Sequence, residues 1–178
     1  MPDPLRLVIQ KALCAKLREI TVANGYALDF RGEGLNKGDA PQRVFRGRTV
    51  YGTSDPLPML SVLETPIPLE QLEPPRSSGL SSGSWELMVQ GFFADDSENP
   101  TDPAHVGLAD VRKILAIESL KPEVDHTNKG ILDLGDHITG LKIGAGVVRP
   151  PDEVSDKAYF WLLIEIEMNE DLTEPYTV

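Results

Sequence analysis

The sequence predicts an α+β domain: a mainly antiparallel sheet, two amphipathic helices packed on one of its faces, and long projecting loops. Three observations carry that prediction. Two stretches repeat apolar residues at three- and four-residue steps, as helices with one buried stripe do. Several others alternate with period two, as half-buried strands do. The order is helix, two strands, long loop, strand, helix, two strands, which suits helices gathered on one side of an antiparallel sheet. The 178 residues suffice for one such domain, spanning 1–178.

Asp3-Pro4 predicts a helix start, with Asp3 as N-cap and Pro4 at the first helical position, where its missing N–H costs nothing. Leu5, Val8, Ile9, Ala12, Leu13, Leu17 and Ile20 form the apolar stripe, and Asn24-Gly25 suits a left-handed cap. Residues 31–40 are a polar, glycine-rich loop. Gly32, Gly34 and Gly38 with Lys37 do not make a phosphate loop, which needs four residues between its glycines and then Gly-Lys-Ser/Thr opening a helix, whereas here Pro41 follows and no helix begins. Arg43 to Tyr51 reads as an edge or hairpin strand, with Phe45, Thr49 and Tyr51 on one side and Arg46 and Arg48 on the other. Met59 to Glu64 is a second short strand. Thr65 to Ser84, with prolines at 66, 68, 74 and 75 and a Ser/Gly run, predicts a long projecting loop.

Trp85 to Ala94 returns to strand pattern, with Trp85, Leu87, Val89 and Phe93 opposite Glu86, Met88, Gln90 and Phe92. Asp95, Asp96 and Glu98 form an acidic turn without the spacing of a calcium loop. Asp102-Pro103 repeats the N-cap-plus-proline opening, and Val106, Leu108, Val111, Ile114, Leu115 and Ile117 make a second helix that ends before Pro122. His105, in its first turn, is a surface residue. Residues 121–137 are irregular and polar apart from Ile131 to Leu134. Ile138 to Val148 is a strand with Leu141, Ile143, Ala145 and Val147 on one face, kinked or closely approached at Gly140, Gly144 and Gly146. Gly144-Ala145-Gly146 lacks the third glycine and the helix of a dinucleotide fingerprint. Arg149 to Lys157, with Asp152 and Glu153, connects to the most apolar strand, Ala158 to Met168. There Ala158, Phe160, Leu162, Ile164, Ile166 and Met168 make one apolar face, while the other changes from Tyr159, Trp161 and Leu163 to Glu165 and Glu167. This predicts a central strand buried on both sides in its first half and on one side in its second. The tail from Asn169 to Val178 reads as a loose arm.

Composition narrows the function. No apolar run reaches membrane-spanning length, and the N-terminus lacks the basic start and apolar run of a signal peptide. A single cysteine, Cys14, excludes an internal disulfide framework and fits a reducing cytoplasm; within a helical stripe it reads as packing rather than as a nucleophile. The net charge of −11 argues against binding nucleic acid by counterion release. Residues 1–50 carry nine Lys/Arg and five Asp/Glu, whereas 51–178 carry eight and twenty-three, so charge runs from +4 to −15 along the chain. Such asymmetry favours oriented contact between unlike surfaces of neighbouring molecules. Asp125-His126 and Asp136-His137 could suggest a small metal-dependent hydrolase, but adjacent strand residues face opposite ways and no Gly-x-Ser-x-Gly motif occurs. With His105 these are the only histidines, too scattered for a zinc site.

Across this layout the chain resembles the tail terminator (tail completion) proteins of long-tailed bacteriophages. The resemblance is carried by the helix Leu5 to Ile20, the strand Met59 to Glu64 with its Glu-Thr-Pro ending, and Trp85-Glu-Leu-Met-Val-Gln-Gly91. To these are added Ala109-Asp-Val-Arg-Lys-Ile-Leu115 and the late Gly-x-Val-x-x-Pro-Pro followed by Ala158 to Glu167. It implies a virion structural protein rather than an enzyme, assembled in the host cytoplasm into a ring, six-fold in the family, at the head-proximal end of the tail. Such a ring halts tube growth and joins the tail to the head connector, with the tail tube and connector proteins as partners and DNA as passing cargo. It implies no metal, nucleotide or other cofactor and no membrane. Another neck or minor tail protein, or an adaptor of a contractile secretion machine, fits the same layout. Interface or lumen candidates are Arg43, Arg46, Arg48, Asp95, Asp96, Glu98, Asp152, Glu153, Glu165 and Glu167.

Overall fold

The computed structural model describes residues 2–34, 38–49, 52, 54–65, 79–121, 129–153 and 155–176. The strands are β1 (Val44–Arg46), β2 (Met59–Glu64), β3 (Leu80–Phe93), β4 (Ile138–Ile143), β5 (Val147–Arg149) and β6 (Ala158–Asp171). The two α-helices are α1 (Leu5–Leu17) and α2 (Asp102–Ser119). One sheet has the order β1-β2-β3-β6-β4, with β5 also paired to β6. Every pairing is antiparallel except that of β1 with β2. The expected α+β architecture, with both helices on one face, is what the chain adopts.

The strand Ala158 to Met168 is central, as its pattern predicts, and longer than predicted. β6 runs on to Asp171 and pairs with β3 from Leu80↔Asp171 to Phe93↔Ala158. Ser81 to Ser84, expected in a loop, are therefore ladder residues. A long partner strand supplies backbone hydrogen bonds whatever the side chains, so intrinsic preference loses to tertiary context. Residues 66–78 of the expected loop lie outside the described residues, as do Tyr51, Lys37, Asp125 and His126. The expected loose arm is tied down as well: Leu5 N–H donates to Pro175 O at 3.1 Å, and Arg6 pairs with Glu170 at 3.6 Å.

Leu5, Ile9, Leu13 and Leu17 of α1 pack with Val111, Ile114 and Leu115 of α2 against Val62, Leu87, Val89, Leu162, Ile164 and Ile166 of the sheet. Two ring–glycine contacts key this layer. The Phe160 ring lies where a Cβ on Gly91 would sit, 2.3 Å from the nearest ring atom, and the Phe93 ring does the same at Gly107 of α2. The two rings stack at 5.7 Å between centroids. Side-chain-free positions thus let helix, ring and strand close together.

Several boundaries differ from the sequence expectation. Pro4, not Asp3, is the N-cap of α1; Asp3 pairs with Lys11 instead. The helix stops at Leu17, and Asn24-Gly25 closes a separate 3₁₀ turn, Val22–Asn24, with Gly25 at φ 81°. Thr101 precedes α2, which places Pro103 one position further in than expected and still in the first turn, where it removes no helical hydrogen bond. β1 keeps only three residues and sits at the sheet edge, parallel to β2 rather than in a hairpin with it. The last correction concerns a face. Ile143 pairs with Ile164 but Val147 with Trp161, so four steps on the edge strand oppose three on β6. This bulge, at Gly144 to Gly146, turns Val147 away from the face of Leu141, because one extra residue reverses strand alternation. Gly146, at φ 75°, fits against Leu108 of α2, which lies 2.8 Å from where its Cβ would be.

Candidate interface on the open face of the sheet

Both helices lie on one face, so the alternate side chains of every strand emerge on a second face that no helix covers. At one end this open face is apolar: Met59, Phe92 and Tyr159 are buried there, with Phe45, Leu57 and Trp161 packed around them. Connecting segments close it. The Tyr159 hydroxyl donates to Asp152 Oδ2 at 2.9 Å, and the Arg48 guanidinium covers the Phe45 ring at 4.5 Å. Burial and the neighbouring Asp152 carboxylate both raise the pKa of the Tyr159 hydroxyl, which stays neutral and donating. The expectation that Tyr159, Trp161 and Leu163 are all buried fails at Leu163, which is 45% exposed beside Val147 at 54%.

Towards the other end the face turns acidic. Glu86 of β3 lies directly opposite Glu165 of β6, and Lys142 of β4 opposite Glu165 on its other side. The Lys142 ammonium reaches Glu165 at 2.8 Å and Glu167 at 2.7 Å, and Ser84 Oγ donates to Glu165 at 2.8 Å. Lys142 and Ser84 hold the Glu165 carboxyl below its usual range, and the two carboxylates hold the Lys142 pKa well above its own. Lys142 therefore serves two carboxylates, and among the described residues the third, Glu86, has no side-chain hydrogen-bond or ion-pair partner. Like charges placed directly across a strand pair repel.

The other expected interface residues separate into two groups. Arg43 Nη1 donates to Pro58 O at 3.0 Å, Asp95 accepts from Ala158 N–H at 2.8 Å, and Asp152 closes over Tyr159. Asp96 takes the Glu98 and Asn99 N–H groups at 2.9 and 2.8 Å, which lower its pKa. These side chains hold the loops around the start of β6, while Glu98 and Glu153 are exposed near them. Just after β1, Arg48 makes two 2.7 Å contacts with Asp55. Arg46 is exposed and, among the described residues, has no hydrogen-bond or ion-pair partner.

Two buried carboxylates escaped the sequence reading. Asp110 of α2 accepts from Ala27 and Leu28 N–H, both at 2.9 Å. Glu118, 2% exposed, accepts from Leu132 N–H at 2.6 Å and meets Lys121 at 2.7 Å and Lys16 at 3.5 Å. It secures a turn in which Leu132 and Asp133 hold φ of 54° and 57°. Their signal was spacing: Glu118 falls on the helical stripe of Val111, Ile114 and Leu115, where an apolar residue is expected.

Other chemistry-bearing groups stay apart. Burial pushes the Cys14 thiol up to about 11, which leaves little thiolate for attack. Asp136 and His137 border a shallow depression of about 470 Å³ with Leu80, Asn169, Asp171 and Glu174. Among the described residues no group of three His, Cys, Asp or Glu side chains is placed to hold a metal ion, and no helix is long and apolar enough to cross a membrane. No family model matches the chain, and no curated protein matches it.

Proposed function

We propose that the protein is a structural subunit of a long-tailed bacteriophage virion: a tail terminator that closes as a ring, six-fold as in the resembled family, on the end of the tail tube. In this role it stops tube polymerisation and offers the head connector a docking surface. The observation that carries the reading is the open sheet face, half apolar and half acidic, on a domain whose helices all lie on the other side. A domain that needs only its own core gains nothing from placing Glu86 opposite Glu165 in register, next to exposed Leu163 and Val147. An assembly subunit does, because a neighbour supplies the missing cover and charge. Carboxylates facing the lumen would also keep DNA from adhering as it passes, the reverse of binding by counterion release. The role calls for no cofactor, and its partners are copies of the chain, the tube protein and the connector.

The test is assembly. Light scattering and negative-stain imaging of the purified chain, alone and mixed with tail tubes, should show six-membered rings free or at tube ends. Monomer alone under both conditions would sink the proposal. Imaging of particles would separate a terminator, at the head-proximal tube end, from a neck or minor tail protein placed elsewhere.

A further inference from the structure

The open face and the basic end of the chain lie at opposite margins of the sheet. β1, with Arg46, is one edge strand, whereas Glu86, Glu165, Glu167 and Lys142 lie across β3, β6 and β4, which is the other edge. Each margin lacks what the other has. Arg46 is exposed and has no anion among the described residues, and the acidic ladder sets two carboxylates on the Lys142 ammonium with Glu86 opposite Glu165 as a third. Beside the ladder, on β6 and β5, Leu163 and Val147 are exposed apolar side chains on the same face.

We propose that this patch is the seat of a second copy of the chain, whose β1 rim enters with Arg46 between Glu86 and Glu167 while Leu163 and Val147 cover apolar surface. The inference rests on the ring reading above and names the surfaces that make the ring. Charge selects the occupant. Two copies meeting patch to patch would set carboxylates against carboxylates, so a two-fold dimer through this face is repelled. Rim to patch joins unlike charges instead. Because rim and patch are at opposite margins, each docked copy leaves one of each free, so the contact is head-to-tail and propagates until rotation closes it. The β1 rim does not recruit its neighbour by strand addition. Its Val44 carbonyl is taken by Gln42 Nε2 at 2.9 Å, with Arg18 Nη2 at 3.4 Å, which leaves side chains to make the contact.

Sedimentation velocity of the full chain over a concentration series, at about 0.15 M salt, tests the pairing. Arg46→Glu alone and Glu86→Lys with Glu167→Lys should each raise the dissociation constant about tenfold or more. All three substitutions in one chain should bring it back towards the wild-type value, with melting curves confirming the fold throughout. Leu163→Asp, at an exposed position, should weaken assembly too and serves where the charge variants fold poorly. Wild-type rings that ignore every one of these changes would overturn the pairing while the ring reading stands. Single variants that weaken without recovery in the combination would overturn it as well. A wild type that stays monomeric, alone and with tube protein, would overturn the ring reading and this inference together.

Discussion

The two faces of this sheet follow different rules. On the helix-covered face the buried carboxylates are answered: Asp110 and Glu118 each receive backbone N–H groups, and Glu118 meets two lysines. On the open face Glu86 opposes Glu165, a single lysine serves two carboxylates, and the Trp161 indole N–H is buried with no acceptor among the described residues. The first face is closed chemistry, in which any change costs stability. The second is unfinished within one chain, and unfinished surfaces are where association adds free energy.

The sharpest way to break that contrast is to remove an answered charge. Glu118→Ala should lower unfolding free energy by about 3 kcal/mol, since it strands the buried Leu132 N–H and leaves Lys121 and Lys16 with only Asp133 and Glu19. Urea unfolding measures it. A loss under about 1 kcal/mol would mean that the turn around Leu132 relaxes freely and that the covered face is less closed than its geometry implies.

Overpacking the same layer comes next. Gly91→Ala would push a methyl into the Phe160 ring, at a cost of about 2 kcal/mol. Phe160→Leu in the same chain should recover part of that loss, because the clash is with the ring itself. Additive losses would show that the ring–glycine contact is not the keystone proposed for it.

The covered face was also the legible one. Period-two alternation in Ala158 to Met168 and three-four spacing in both helices point to the same layer, because burial on one side imposes a repeat on the sequence. What stayed hidden depends on distant partners. Ser81 to Ser84 become strand only because Glu167 to Glu170 extend alongside them. Val147 changes face because of a bulge between glycines, which alternation cannot register. The acidic turn looked like a surface feature, yet Asp95 reaches 63 positions along the chain to cap Ala158. Among the expected interface residues, Glu165 and Glu167 were found by the abrupt change of character on one strand face. Their shared Lys142 and opposing Glu86 required the register.

A titration probes the open face with a smaller effect. Lys142 and then Ser84 hold the Glu165 carboxyl below its ordinary 4.5. A depressed pKa in the folded state adds stability that is fully present above the unfolded value and is lost as pH falls through the folded one. Glu165→Gln should therefore be slightly less stable than wild type near neutrality, with the difference closing below 4.5. Urea midpoints from about pH 7 to 3 follow it. A difference that stays constant with pH would trace the loss to packing rather than to the charge.

The smallest effect separates the two faces most cleanly, because it should change sign between folding and assembly. Glu86 faces Glu165 in register and has no described partner, so within one chain its charge is only a cost. Glu86→Gln keeps the shape, removes the repulsion and should stabilise the monomer by about 0.5 kcal/mol. If the acidic ladder awaits a neighbour's guanidinium, the same substitution weakens assembly. Urea unfolding at low concentration and sedimentation at high concentration read the two quantities independently. Stabilisation with unimpaired assembly would make Glu86 a mere imperfection of the fold. Stabilisation with weakened assembly means the open face carries its repulsion for the sake of the contact that relieves it.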